Sequence, residues 1–94
     1  MVEFAEDYEK LAGVFGALAH PLRLSLIANT LEGKLCVRDL GEMLDRSQPN
    51  ISQHLAVLRE RGLVTAERKG KRVCYRLTDE CLTQVIRLAA KCCD

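Results

Sequence analysis

The sequence predicts a mostly helical winged helix-turn-helix domain that spans residues 1–94 and carries one small β-hairpin. Apolar residues recur with helical spacing as far as Gly62, and an alternating pattern with a cationic turn follows. The charge is uneven as well: the net charge is −4 over residues 1–45, +6 over residues 46–78 and −1 over residues 79–94. A basic middle between acidic flanks is typical of a nucleic-acid-binding element.

The first two predicted helices lie on either side of a break at His20 and Pro21. The first covers roughly residues 3–18, and its single apolar stripe consists of Phe4, Tyr8, Leu11, Phe15 and Leu18. A stripe this narrow suits packing against another helix, including a helix from a second subunit. Pro21 fits the first turn of the second helix, which ends at Gly33 and buries Leu22, Leu26, Ile27 and Leu31.

The helix-turn-helix itself is predicted at residues 37–44 and 48–61. Ser47 is a suitable N-cap for the second of these helices, and Pro49 is tolerated in its first turn. The exposed side of this helix is a row of small and amide side chains rather than Glu and Lys, and it reads Gln48, Asn50, Ser52, Gln53 and His54.

A hairpin and a last helix complete the predicted order α-α-α-α-β-β-α. The two strands are expected at residues 63–67 and 72–77, and the last helix at residues 79–92. The connection between the strands contains a glycine among three cations, Arg68, Lys69, Gly70 and Lys71. Such a turn is suited to an anionic partner.

The fourth helix has the side chains of a DNA recognition helix, because amide, hydroxyl and imidazole groups can pair with base edges in the major groove. These residues are Gln48, Asn50, Ser52, Gln53 and His54. Phosphate or minor-groove contacts are expected from Arg59 near the far end of the helix and from the hairpin residues Lys69, Lys71 and Arg72. The alternative is a winged helix that binds protein, which would show no salt-dependent affinity for DNA.

Other classes of protein have little support in the sequence. We expect no enzyme, because there is no Gly-rich phosphate loop, metalloprotease motif or adjacent nucleophile and base. No apolar run approaches the roughly 18 residues of a membrane span, and the acidic N-terminus does not resemble a signal peptide. We therefore expect a cytoplasmic protein with no membrane partner, whose five cysteines serve metal or thiol chemistry rather than a disulfide framework.

Three segments carry a resemblance to a known family. They read LCVRDLGEML at residues 35–44, SQPNISQHLAVLRERGLV at residues 47–64 and RKGKRVCYRL at residues 68–77, and AHPLRL at residues 19–24 adds to them. Over essentially the whole chain, the sequence resembles the ArsR/SmtB family of bacterial and archaeal repressors. The resemblance implies a homodimer built on the first and last helices, a palindromic double-stranded DNA operator and repression that an inducer relieves.

Many members of that family sense metals or metalloids through a Leu-Cys-Val-Cys-Asp-Leu sequence on the third helix. The corresponding stretch here has Arg38 in place of the second cysteine, so the paired thiolates of that site are missing. We interpret Cys36 as a small core residue and Cys74, which lies in a predicted strand, as a packing residue.

The last helix resembles a second type of family site, in which Asp-x-His is followed after ten residues by His. This chain has Asp79, then Cys81 and Cys92 in the two histidine places. The two thiols share one stripe but are about 16 Å apart along a helix, so one ion cannot touch both in one chain. Two such helices crossing about a two-fold axis would bring Asp79 and Cys81 to Cys92 of the partner subunit, with Cys93 available to complete the site.

Thiolate ligands select soft or borderline metal ions. Three sulfurs would favour As(III) or Pb²⁺, whereas two sulfurs with Asp79 would suit Zn²⁺ or Cd²⁺, and the sequence leaves both open. The rival interpretation is a thiol-redox response, in which Cys81 and Cys92 of two subunits form a disulfide or accept persulfide sulfur.

Overall fold

The computed structural model describes residues 7–30 and 34–93. Five helices and three strands follow in the order α1 (Tyr8–Leu18), α2 (Pro21–Ala28), β1 (Lys34–Cys36), α3 (Val37–Leu44), α4 (Gln48–Glu60), β2 (Val64–Lys69), β3 (Arg72–Leu77) and α5 (Cys81–Ala90). The helix-turn-helix is α3 and α4, and the wing is the hairpin of β2 and β3. The predicted winged helix-turn-helix is thereby confirmed.

The sheet has one strand more than the sequence predicted. Its order is β1-β3-β2, with both pairings antiparallel, so β3 is the central strand. β1 lies directly before α3 and pairs Cys36 with Cys74 of β3. A strand of three residues is too short to show an alternating pattern, and it is defined here only by its partner strand.

The wing ends in a two-residue turn formed by Gly70 and Lys71, because Lys69 and Arg72 are paired as the last residues of their strands. Gly70 has a φ of +63°, whereas Lys71 does not share this left-handed conformation. A glycine with positive φ at the first central position is typical of a type II′ turn, which matches the twist of an antiparallel hairpin. The turn projects the cationic side chains of the wing away from the core.

Both ends of α4 are capped. The Ser47 hydroxyl oxygen accepts a hydrogen bond from the Asn50 amide at 3.2 Å, as the sequence predicted for an N-cap. At the other end, the Leu63 amide donates to the Leu58 carbonyl and the Gly62 amide donates to the Arg59 carbonyl. These two bonds form a Schellman motif, and Gly62 takes the left-handed conformation it requires, with φ +73°.

The hydrophobic core packs α4 against the other helices and the sheet. Ile51, Leu55 and Leu58 on one face of α4 have no exposed surface. Each such side chain contributes roughly 1.5–3 kcal/mol relative to an exposed position. The same cluster includes residues of all five helices and all three strands, among them Leu18, Leu26, Leu35, Leu40, Val64, Tyr75 and Leu82.

Two helices are shorter than the sequence predicted. α1 begins at Tyr8 because Asp7 is extended and its carboxylate accepts hydrogen bonds from the Glu9 and Lys10 amides at 3.0 and 3.1 Å. α5 covers Cys81–Ala90 rather than residues 79–92, since the Asp79 carboxylate accepts the Cys81 amide at 2.9 Å.

α2 also ends early, at Ala28 with Asn29 as its C-cap, and not at Gly33. Three residues used in the predictions, Phe4, Leu31 and Gly33, lie outside the described residues. Within residues 7–30 and 34–93, no single helix is both long and apolar enough to cross a membrane, and α1 and α2 qualify only as a pair bent by 91°.

An apolar surface remains uncovered where α1, α2 and α5 meet. Phe15 is 49% exposed and Leu88 is 60% exposed, and Tyr8, Leu11 and Leu24 are exposed beside them. A groove in this surface has an almost wholly apolar lining, to which Phe15, Leu18, Leu24, Val85 and Ile86 contribute. Exposed apolar area of this kind on a small domain marks an interaction surface.

The capping glycine of α4 gives a direct test of the fold. We expect Gly62→Ala to destabilise the protein by about 1 kcal/mol, because an L-residue is disfavoured at a left-handed φ while the site has open space for the new methyl group. Urea denaturation measures this loss. Gly62→Asn is the matched control, since Asn tolerates this conformation and should lose less; an equal loss in both variants would contradict the explanation.

Candidate nucleic-acid interface and cysteine sites

The predicted base-reading residues lie on different faces of α4. Gln53 is exposed and points away from the buried row of Ile51 and Leu55. Gln48 is exposed and Ser52 half-buried, and both line a cleft between α4 and the wing. The structure therefore gives α4 an outward face and a flank that faces the wing.

The cleft between α4 and the wing is rich in cations. It has a volume of about 470 Å³, and Lys71 and Arg72 of the wing line one side of it. Arg38 of α3 lines it as well, opposed by the carboxylates of Asp39 beside it and Glu42, the latter at 3.7 Å. From the sequence, Arg38 is notable only as the replacement of a cysteine, but its position on the first turn of α3 places a third cation in this cleft.

The cations of the wing tip are free to meet an anion. In the described part of the chain, the ion pairs are Arg38 with Glu42 and Arg76 with Glu67, the second at 3.1 Å. Lys69, Lys71 and Arg72 belong to neither pair, and all three are exposed. Arg59 is exposed in the last turn of α4, seven residues after Ser52 and so on the same flank of the helix.

His54 is placed differently from its predicted position on the DNA face. Its ring lies 4.4 Å from the ring of His20, and its Nδ1 accepts a hydrogen bond from Arg23 Nε at 3.4 Å. Burial lowers the pKa of His54, and the positive charges near it, of His20 first and then Arg23, lower it further. The lowered pKa favours the uncharged imidazole of His54 at this contact between α4 and α2.

Asn50 shares that inward flank. It lines the cleft between α2 and α4 together with His20 and His54, and its buried Oδ1 has no hydrogen-bond partner among residues 7–30 and 34–93. Of the five predicted base-reading residues, the structure leaves Gln48, Ser52 and Gln53 on the side of the wing and the solvent.

The predicted metal ligands lie at the two ends of α5. Asp79 and Cys81 flank its start, whereas Cys92 and Cys93 follow its last residue, and all four are exposed. Among the described residues of the single chain, no three His, Cys, Asp or Glu side chains are grouped to hold a metal ion. A site at α5 therefore requires a second subunit, as the sequence predicted, and it stays a prediction.

The two predicted ligands at the start of α5, Asp79 and Cys81, shift each other's pKa. Hydrogen bonds from the amide and thiol of Cys81 lower the pKa of the Asp79 carboxyl, and the same carboxylate raises the pKa of the Cys81 thiol. A metal ion that bound here would have to displace the thiol proton from this hydrogen bond.

The thiols that the structure does bring together are Cys36 and Cys74. Their Sγ atoms are 2.9 Å apart, both side chains are half-buried, and both line the cleft between α4 and the wing. The hydrogen bond with Cys74 is the largest of the effects that raise the pKa of the Cys36 thiol. No local pattern in the sequence indicates this pair, because the cysteines are 38 residues apart and β1 is not among the predicted strands.

Comparison with known proteins agrees with the geometry. A profile described as "Bacterial regulatory protein, arsR family" matches residues 20–66. The chain is 39% identical to a biofilm growth-associated repressor of Xylella fastidiosa over 85 residues, which are 86% of this chain and 75% of that protein. It is 50% identical to the arsenical resistance operon repressor of Escherichia coli over 66 residues, 69% of this chain and 56% of that protein.

The fold is similarly close to a solved structure. HlyU from Vibrio cholerae N16961 superposes with a TM-score of 0.80 at 30% sequence identity, covering 97% of this chain and 100% of that one. The resemblance found in the sequence is confirmed, as is the expectation that the chain is not an enzyme. The chain belongs to the ArsR family of bacterial regulatory proteins and is a DNA-binding transcriptional regulator of the repressor type.

Proposed function

We propose that the chain forms a homodimer that represses transcription from a palindromic operator and is released by a soft metal or metalloid ion bound at α5. The DNA-binding part of this proposal rests on one observation. Polar residues of α4 and unpaired cations of the wing lie around the same cleft. Binding to such an operator places the protein in the cytoplasm.

In this proposal α4 enters the major groove with its outward face. Gln53 and Gln48 carry amides that can pair with adenine edges, and Ser52 can pair with several bases. Lys69, Lys71 and Arg72 on the wing, and Arg59 at the far end of α4, bind the phosphate backbone on either side. Asn50 and His54 act indirectly, because they fix the angle of α4 against α2.

The apolar surface of α1 and α5 is the proposed dimer interface. A homodimer would cover Phe15 and Leu88, which are exposed in the single chain. Two-fold symmetry would also place the two copies of α4 in opposite orientations, as a palindromic operator demands.

The same interface would create the inducer sites. Asp79 and Cys81 at one end of α5 would meet Cys92 and Cys93 of the partner subunit, because one chain holds these groups at opposite ends of the helix. The E. coli relative is an arsenical resistance repressor, which supports a metalloid among the candidates As(III), Zn²⁺, Cd²⁺ and Pb²⁺. An ion that fixes one arrangement of the two α5 helices changes the spacing of the two α4 helices and so lowers operator affinity.

The proposed DNA-binding face predicts that loss of a base contact and loss of a phosphate contact change DNA affinity in different ways. Gln53→Ala should weaken binding to the specific operator by about 1–3 kcal/mol while binding to unrelated DNA is unchanged, because only base contacts are lost. Lys71→Ala should weaken both and reduce the slope of log K against log salt by about 1. Fluorescence anisotropy at several salt concentrations measures both quantities.

Lys10→Ala on α1 is the matched control for Lys71→Ala, since it removes the same charge far from the wing. A salt slope lowered equally in both variants would exclude a phosphate contact at Lys71. Salt-independent binding, or no binding to the promoter DNA of its own gene, would refute the DNA interface.

The dimer interface predicts that Phe15→Glu yields a monomer, because a carboxylate would be buried unpaired at the interface. Analytical ultracentrifugation should show half the mass of the unmodified protein, with unchanged helix content by circular dichroism. Met43→Glu replaces an apolar residue on α3 that is 61% exposed, against 49% for Phe15, and should remain dimeric. A dimeric Phe15→Glu protein would place the interface elsewhere.

The inducer site predicts that Cys92→Ser with Cys93→Ser keeps operator affinity but loses the response to the ion. In the reduced unmodified protein, one of Zn²⁺, Cd²⁺, Pb²⁺ and As(III) should weaken operator binding at least about tenfold, equivalent to about 1.4 kcal/mol of coupling. Anisotropy titrations under reducing conditions measure the release, and Cys74→Ser is the control that should still respond. Release that persists in the Cys92 and Cys93 variant would exclude α5 as the sensor.

A further inference from the structure

Cys36 and Cys74 are direct partners on neighbouring antiparallel strands. Residues opposite each other in such a pair have Cα atoms about 4.5–5.5 Å apart, within the roughly 4.4–6.8 Å that a disulfide spans. Their sulfurs already lie 2.9 Å apart, closer than two non-bonded sulfur atoms in ordinary contact. Bond formation thus needs a small side-chain rotation and no movement of β1 or β3.

We propose that Cys36 and Cys74 are an oxidation site that closes to a disulfide within one subunit. The site is separate from the cysteines of α5 and does not depend on the dimer. Its formation joins the residue that precedes α3 to the central strand of the sheet, and so fixes the helix-turn-helix to the wing.

The chemistry requires a two-electron oxidant, for which a hydroperoxide is sufficient. The thiolate of one cysteine attacks the peroxide oxygen and becomes a sulfenic acid, and the peroxide leaves as an alcohol, or as water from hydrogen peroxide. The sulfur of the second thiol then attacks the sulfenic sulfur, so that the S–S bond forms, the S–O bond breaks, and the displaced hydroxide takes the thiol proton and leaves as water. Both sulfurs are oxidised and the peroxide is reduced, with no further reactant.

The oxidant has a route to the sulfurs. Both cysteines are half-buried and line the open cleft between α4 and the wing. The cations Arg38, Lys71 and Arg72 line the same cleft, so the site is polar and open to solvent and is not sealed in the core.

Operator DNA should protect the pair from oxidation, an inference that rests on the proposed DNA-binding function. Gln48, Ser52, Lys71 and Arg72 line the cleft, and all four are proposed DNA contacts. DNA bound to them would cover the route to both thiols. Disulfide formation in the free protein does not depend on this step.

The test uses the full chain with Cys81→Ser, Cys92→Ser and Cys93→Ser, which leaves Cys36 and Cys74 as the thiols. After treatment with hydrogen peroxide, intact mass spectrometry should show the loss of two hydrogen atoms per subunit, and digestion should yield a linked peptide containing both cysteines. Dithiothreitol should reverse the change. The oxidised protein should melt on the order of 10 °C higher, because the bond closes a long loop in the unfolded chain.

Adding Cys36→Ala or Cys74→Ala to this background should abolish the linked peptide and the change in Tm, with helix content by circular dichroism showing that each variant folds. Addition of oxygen atoms to the cysteines without a link, or a link between two subunits, would overturn the proposal. Saturating operator DNA should slow the oxidation at least severalfold. An unchanged rate, in a protein shown by anisotropy to bind the operator, would refute the protection while leaving the disulfide established.

Discussion

The burial of one face of α4 is the constraint on which the rest of the structure depends. Ile51, Leu55 and Leu58 are wholly enclosed by the other helices and the sheet. Because these three side chains fix the rotation of α4 about its own axis, they also decide which polar residues face outward. Gln53 is directed to solvent and Ser52 to the wing, whereas His54 is turned against His20 and Arg23. The packing of the core therefore determines which face of α4 is available as the proposed base-reading face.

The second constraint on the structure is β3, the central strand of the sheet. It pairs with β2 to make the wing and with β1 to anchor the start of α3, so the two DNA-facing parts of the domain share one strand. This arrangement explains why the cleft between α4 and the wing contains residues from three separated segments of the chain. It also explains why Arg38 lies near the cations of the wing and Cys36 near Cys74, although α3 and β1 are distant from the wing in sequence.

The sequence alone predicted the features that depend on the conformational preferences of single residues. Ser47, Gly62 and Gly70 mark a helix start, a helix stop and a turn through their own conformational preferences, and the structure has all three at those places. Helical periodicity placed α3 and α4 to within one residue. It overextended α1, because the apolar pattern includes Phe4 whereas the Asp7 carboxylate caps the helix. It also overextended α5, which begins at Cys81, where the Asp79 carboxylate accepts the Cys81 amide, and ends at Ala90. The strand β1 and the contact of Cys36 with Cys74 depend on pairing between distant segments, and so do not appear in any local pattern.

The cysteines of α5 and the pair of Cys36 and Cys74 differ in whether their proposed chemistry depends on a second subunit. The proposed ion site at α5 takes groups from both ends of the helix, which a single chain holds apart, so its occupancy would depend on the proposed dimer and on protein concentration. The pair of Cys36 and Cys74 is complete within one subunit, and its closure is independent of concentration. In the proposed mechanism, an ion at α5 would act on the distance between two copies of α4, whereas a bond between β1 and β3 would act on the position of α4 relative to its own wing. The two proposed cysteine sites would therefore affect the proposed DNA-binding face independently, one between subunits and one within each.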